Sequence, residues 1–141
     1  MRITQFIPYV LFCGTLSAFA APTSVTANHP ILGAWKWITP NQGCSEVYHY
    51  KADGTNLFSS GAEEGTSQYE ITATPNFNGF YKLIDHNITD NGKKDCRGIV
   101  VQAGVNSILF VHFLPIDGQM VMCYKESLDA CFGPLTRQKE F

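Results

Sequence analysis

Few side chains in this sequence are arranged to do covalent chemistry. The chain has no Gly-x-Ser-x-Gly motif, which places an activated serine on a tight turn in many hydrolases. An acid and a base are adjacent at Asp85-His86, but neighbouring residues on a strand point to opposite faces and cannot share a site. The sequence therefore predicts a protein that is not an enzyme.

Four histidines are candidate metal ligands: His29, His49, His86 and His112. No two of them are two or four residues apart, the spacings that put two ligands on one side of a strand or helix. The segment from Asp90 to Asp95 lacks the alternating oxygen ligands of a calcium loop. We expect isolated histidines, a hairpin turn at this segment, and no metal or other cofactor.

Aromatic residues are the stronger candidates for a binding site, because Trp and Tyr combine a flat apolar surface with a polar group. An eight-stranded barrel is wide enough only to be filled by side chains or to hold one small ligand. Both outcomes are open for the aromatic residues of the predicted strands. The residues predicted to contact a small ligand are Trp37, Tyr48, Tyr50, Tyr69 and Phe110.

Short strands must position these side chains. Between the turns lie eight runs rich in aromatic and β-branched residues, and a helical turn is expected only near Glu126 to Ala130. Antiparallel strands in chain order predict an all-β fold, a closed or nearly closed eight-stranded up-and-down barrel, with a sandwich as the alternative. The turn signals are Pro40–Gly43, Asp53-Gly54, Gly61–Gly65, Pro75–Gly79, Asp90–Gly92, Ala103-Gly104 and Pro115–Gly118.

Residues 1–20 have the pattern of a signal peptide. Arg2 is followed by an apolar run, and Ala18-Phe19-Ala20 fits the small-residue cleavage site of a signal peptidase. We expect cleavage near Ala20, a single domain over residues 21–141 and a periplasmic or secreted location. No later apolar run reaches the roughly 20 residues that a membrane-spanning helix needs.

The charge balance is slightly acidic, with 10 Lys and Arg against 12 Asp and Glu. This balance argues against binding to nucleic acid or to anionic lipid, and we expect a monomer. Cys13 lies in the predicted leader, which leaves an even number of cysteines and predicts two disulfides. We favour Cys44 with Cys96 and Cys123 with Cys131; the other two pairings remain possible. A zinc site is disfavoured because no C-x-x-C pair is present.

Gly33-Ala34-Trp35, at the start of the first strand, resembles the G-x-W pattern of the lipocalins and their calycin relatives. In that superfamily the tryptophan closes one end of the barrel and an arginine from the far end of the chain packs over it. The resemblance implies barrel-closing roles for Gly33, Trp35 and Arg137. The chain also looks like small exported bacterial proteins of lipocalin-like type, and its short length implies a smaller cavity than in typical lipocalins.

Two functions are consistent with these features. The first is an exported, non-enzymatic lipocalin-like binding protein for a small apolar or aromatic ligand. The second is an envelope protein-interaction module, such as an inhibitor of a lysozyme-type enzyme. Ser60-Gly61, beside the acidic pair Glu63-Glu64, is similar to the inhibitory loop of periplasmic lysozyme inhibitors. A solvated acidic loop is the simpler interpretation of that pair.

Overall fold

A computed structural model describes residues 24–40 and 43–139, which form a closed barrel of eight antiparallel strands in chain order. The predicted fold class is confirmed. A single 3₁₀ turn within these ranges, Leu128–Ala130, lies where the helical turn was predicted. The strands are β1 Gly33–Ile38, β2 Ser45–Tyr50, β3 Thr55–Ser60, β4 Glu63–Ile71, β5 Phe80–Asp90, β6 Asn106–Phe113, β7 Gln119–Cys123 and β8 Cys131–Arg137.

Both favoured disulfides are present, Cys44 with Cys96 and Cys123 with Cys131. The second pair joins residues that lie directly opposite each other on β7 and β8. Two disulfides are consistent with an oxidising compartment. The predicted signal peptide and its cleavage near Ala20 lie outside the described residues. In the described ranges, no helix combines the length and the apolar character that a membrane span requires.

The turn-based prediction misassigned one strand. Residues 93–102, between two predicted turns, form a loop with one isolated bridge from Lys94 to Val100. The Asp95 carboxylate accepts hydrogen bonds from the backbone N–H groups of Arg97 and Ile99, and such local capture of donors competes with strand pairing. The eighth strand is instead β8, which follows the 3₁₀ turn and pairs with both β7 and β1.

The turn predicted from Gly61 to Gly65 is also shorter than expected, because β3 ends at Ser60 and β4 begins at Glu63. Glu63 and Glu64 are therefore strand residues with side chains on opposite faces. Glu63 is only 5% exposed, so the predicted solvated acidic loop is wrong: both residues lie in β4, and only Glu64 is exposed.

The seam between β1 and β8 closes the barrel through only two register pairs, Trp35 with Arg137 and Lys36 with Thr136. Further along β1, Pro134 lies on the opposite strand, and proline has no N–H to donate to a sheet. An open notch of about 510 Å³ lies there, with Trp37, Ile38 and Pro134 among the residues around it. One side of Trp37 is therefore reachable at the seam.

Candidate functional site

One end of the barrel is closed by Trp35 and Arg137. Trp35 is 1% exposed, and its indole Nε1 donates a hydrogen bond to the Ile31 carbonyl at 2.7 Å. The Arg137 guanidinium carbon lies 4.3 Å from the centre of the indole ring. The same guanidinium donates to the carbonyl oxygens of Pro30, at 2.6 Å, and Leu32. We call this arrangement the plug.

Gly33 allows the plug to form. Its φ of +108° is in a region that L side chains rarely adopt. A Cβ at this position would also lie 3.0 Å from Nη1 of Arg137. The three residues that the lipocalin resemblance selected are therefore in mutual contact or directly adjacent. A cation over an aromatic face contributes about 0.5 to 2 kcal/mol, depending on desolvation.

Two of the predicted ligand-contacting aromatics belong to the packed core. Tyr50 and Tyr69 are each 2% exposed, and their rings meet edge to face with centroids 4.9 Å apart. The Tyr69 hydroxyl donates to the Lys51 carbonyl at 2.8 Å, which satisfies its polar group. Around these rings pack other inward-facing side chains, namely Trp35, Leu83, Val111, Met120, Met122 and Leu135.

Trp37 and Tyr48 are the two predicted aromatics that remain half-buried. Both pack against the edge of the core, and Trp37 contacts Phe132 at a centroid separation of 5.3 Å. Tyr48 lies opposite Trp35 in the sheet, two register pairs from the Trp37–Glu46 pair. Trp37 therefore offers apolar surface on the side away from the plug, and Tyr48 lies between it and the core ring of Tyr50.

Phe110 does not line the interior. Leu109, Val111 and Phe113 pack in or against the core, so the alternation of strand side chains puts Phe110 on the outer face of β6. There it lies opposite Cys123, the half-cystine of the β7–β8 disulfide. Both faces of β6 are apolar, and the sequence pattern therefore could not assign the inward one.

Polar side chains occupy the inward positions away from the plug. One row of register partners runs from Trp37 on β1 through Glu46 and Ser60 to Glu63 on β4. A second row runs from Tyr50 through Asn56 and Ser67 to Asn87 on β5. We call this region the polar end, and it comprises Glu46, Asn56, Ser60, Glu63, Ser67, Asp85, Asn87 and Asp90.

Glu46 organises one side of the polar end. Its carboxylate accepts hydrogen bonds from the Tyr48 hydroxyl at 2.8 Å and the Ser60 hydroxyl at 2.9 Å. Ser60 Oγ in turn accepts from the backbone N–H of Cys96 at 3.1 Å. The Cys44–Cys96 disulfide therefore holds the 93–102 loop beside this carboxylate.

The other side of the polar end contains acceptors without partners. Asn56 Oδ1, Asp85 Oδ1 and Asn87 Oδ1 are buried and receive no hydrogen bond from the described residues. Leaving a buried polar group unsatisfied costs about 1 to 3 kcal/mol, and most buried polar groups in proteins are paired. Three such oxygens on β3 and β5, the two strands that flank β4, are therefore the strongest structural sign of a site in this barrel.

Two carboxyl groups of the polar end, those of Glu63 and Asp85, have raised pKa values. Burial, together with a hydrogen bond to Asp90 and the nearby carboxylates of Asp90, Asp95 and Glu46, raises the pKa of Glu63 to about 7. Burial also raises the pKa of Asp85, although the nearby polar groups of Ser67 and Asn56 oppose that change. The inward positions of β2 to β5 carry no lysine or arginine, and nearby Arg97 is paired with Asp95 at 2.8 Å.

Glu63→Gln should change how stability depends on pH. The pKa of Glu63 is about 7 in the folded protein against an ordinary value of 4.5, so between these values the folded state holds a proton that the unfolded state has released. Wild-type stability should therefore fall as pH rises through this window, by about 1 to 3 kcal/mol from this group. Urea unfolding at about pH 4 and about pH 8 measures the difference.

Glu63→Gln should lack this fall in stability with rising pH. Glu64→Gln, on the exposed face of the same strand, should retain it. Parallel pH profiles for the wild type and Glu63→Gln would contradict the assignment of the titration to Glu63.

The four histidines lie apart, and no group of three or more His, Cys, Asp or Glu side chains in the described ranges could hold a metal ion. His29 is buried against the Thr72 carbonyl, while His112 approaches the Gly79 carbonyl. Asp85 faces inward, whereas His86 faces outward and contacts Asn106. The two therefore do not form an acid–base pair.

Sequence reasoning missed the polar end because each of its residues is unremarkable alone. One signal was present: residues 80–89 begin apolar and become polar, as expected for a strand that leaves the core towards one rim. Leu83 and Asp85 lie on either side of that change.

Comparisons of the chain with protein-family models, curated proteins and solved structures found no match.

Proposed function

We propose that this protein is an exported, non-enzymatic binding protein that takes one small molecule into the polar end of its barrel. The observation that carries the proposal is the change along the inward face, from a packed core at the plug to a polar lining with half-buried aromatics at the other end. Ligand sites typically combine apolar walls with a few placed polar groups.

The plug favours entry from one side. Trp35 and Arg137 occupy the closed end, so a ligand would enter from the polar end and meet Trp37 and Tyr48 first. Their exposed ring surface suits the apolar or aromatic body expected from the sequence. The G-x-W resemblance to lipocalins supports the same function.

The proposed location is the periplasm or the extracellular medium. The leader-like segment at residues 1–20 and the two disulfides both support export. The alternative function, inhibition of an envelope enzyme, has less support at the β3–β4 turn. The Ser60 hydroxyl is bonded to Glu46 and Glu63 is buried, so Glu64 is the acidic side chain of this turn that a partner could reach.

Trp37→Ala should weaken binding of small aromatic molecules. Titration calorimetry with a panel of such compounds would be run on the wild type, on Trp37→Ala and on Phe77→Ala. Phe77 is 96% exposed, so its variant removes an aromatic ring without touching the barrel interior. We expect at least about a tenfold loss of affinity for Trp37→Ala, because a buried aromatic contact of this size is removed.

Equal affinity in all three proteins would count against an interior site next to Trp37. If the panel fails to bind while an envelope enzyme binds in a manner that depends on Glu64, the inhibitor function would replace the proposed one.

A further inference from the structure

The inference concerns the chemical class of the ligand, and it rests on the proposed function. Three unpartnered acceptors lie on neighbouring positions of the inward face: Asn56 Oδ1, Asp85 Oδ1 and Asn87 Oδ1. Asn56 is opposite Ser67, and Ser67 is opposite Asn87. Asp85 is two residues before Asn87 on the same face of β5. Neighbouring strands lie roughly 5 Å apart, so Asn56 on β3 and Asn87 on β5 start two spacings, roughly 10 Å, apart, and a small group that reaches all three oxygens must lie between these inward-pointing side chains.

The amide groups are oriented by their own hydrogen bonds. Asn56 Nδ2 donates to Ser67 Oγ at 3.1 Å, and Asn87 Nδ2 donates to the Asp90 carboxylate at 3.3 Å. A carboxylate only accepts, so the Asn87 amide must turn its nitrogen to Asp90 and leave its oxygen free. Asn56 is 0% exposed, so its free oxygen has no access to bulk solvent.

A group that contacts these three oxygens must therefore donate hydrogen bonds and carry no negative charge. Besides Asp85, the polar end contains the carboxyl groups of Glu46, Glu63 and Asp90, and no lysine or arginine side chain occupies an inward position of β2 to β5. Arg97, the cation near this end, is held by Asp95. A cation that carries several N–H donors fits this surplus of acceptors and negative charge.

We propose that Asn56, Asp85 and Asn87 bind the primary ammonium group of a small organic cation, whose apolar body lies against Trp37 and Tyr48. An ammonium group has three N–H donors, one for each free oxygen. A calcium ion fits less well, because it prefers six to eight oxygen ligands, whereas only one of the three free oxygens belongs to a carboxyl group and no cluster of three or more His, Cys, Asp or Glu side chains in the described ranges could hold a metal ion. The half-buried rings of Trp37 and Tyr48 also give apolar surface that an organic body can contact and that a metal ion cannot use.

Matched probes test this directly. Titration calorimetry would use benzylamine, its neutral analogue benzyl alcohol, the anion benzoate and calcium chloride. We expect saturable binding of benzylamine, and affinity for benzyl alcohol and benzoate that is lower by about tenfold or more.

Asp85→Asn keeps the shape of the side chain and removes its charge, so benzylamine affinity should fall by about tenfold or more. Asp117→Asn, in the exposed turn between β6 and β7, makes the same change in net charge and should bind like the wild type. Circular dichroism would confirm that each variant is folded. If Asp85→Asn does not fold, Asn87→Leu serves as the second variant. It removes one acceptor at a half-buried position and should also lower the affinity for benzylamine.

The outcomes separate the two proposals. Benzyl alcohol or benzoate binding as tightly as benzylamine, with loss in Trp37→Ala, would overturn the ammonium site and leave the binding function standing. Calcium binding that depends on Asp85, without benzylamine binding, would also overturn the ammonium site. Failure of benzylamine to bind would overturn it too, and failure of every aromatic compound would overturn both proposals.

Discussion

Replacing Trp35 with alanine should lower the free energy of unfolding by about 3 to 5 kcal/mol, the usual cost of truncating a buried aromatic side chain. Trp35 is 1% exposed, donates a hydrogen bond to Ile31 and supports the Arg137 guanidinium. The substitution therefore removes core volume, a hydrogen bond and the ring beneath a cation. Equilibrium unfolding in urea measures the loss.

Trp37→Ala is the matched control, because it removes the same side chain from a half-buried position two residues away. Its loss of stability should be clearly smaller than that of Trp35→Ala. Equal losses would contradict the assignment of Trp35 to the closed end of the core. The free energy of unfolding of Arg137→Gln should lie between those of the wild type and Trp35→Ala, since this variant keeps the indole in place.

Replacing both Cys44 and Cys96 with serine should lower the free energy of unfolding by about 4 kcal/mol, because in the chain-entropy model a longer closed loop restricts the unfolded chain more. The two cysteines are 52 residues apart in the sequence. The double serine variant also releases the 93–102 loop, whose Cys96 N–H donates to Ser60 at 3.1 Å. Urea unfolding of the oxidised proteins gives the comparison.

Removing the Cys123–Cys131 bond should lower the free energy of unfolding by less, about 2.5 kcal/mol in the same entropy model. These cysteines are only 8 residues apart and already face each other across β7 and β8. A larger loss for this pair than for Cys44–Cys96 would show that loop length does not govern the stabilisation.

The positions of the first five strands could be predicted because their turn signals are local, whereas the predicted count of eight included the 93–102 loop and did not include β8. Turns such as Asp53-Gly54 are encoded by two residues, and an even number of cysteines restricts the disulfides to three pairings. The contact of Trp35 with Arg137 was predictable only through the lipocalin resemblance. Spacing alone could not bring together two residues at opposite ends of the chain.

Other features depend on contacts that the sequence pattern does not encode. Residues 93–102 contain β-branched residues, yet Asp95 captures the nearby N–H groups and the segment forms a loop. The Glu63-Glu64 pair appears hydrophilic, but a two-residue turn places Glu63 in the strand and on its inward face. Phe110 shows the same difficulty, since a one-residue error in register exchanges the two faces of a strand.

The position of the seam affects how the barrel can be completed during synthesis. Arg137 contacts the Leu32 carbonyl, 105 residues earlier in the chain. A polypeptide that leaves the ribosome or a translocation channel amino end first must wait for its final strand before β1 gains its second neighbour. Until then β1 and β7 both present open edges, which can recruit other chains. Delivery of the last segment is therefore the step at which both of these edges become paired.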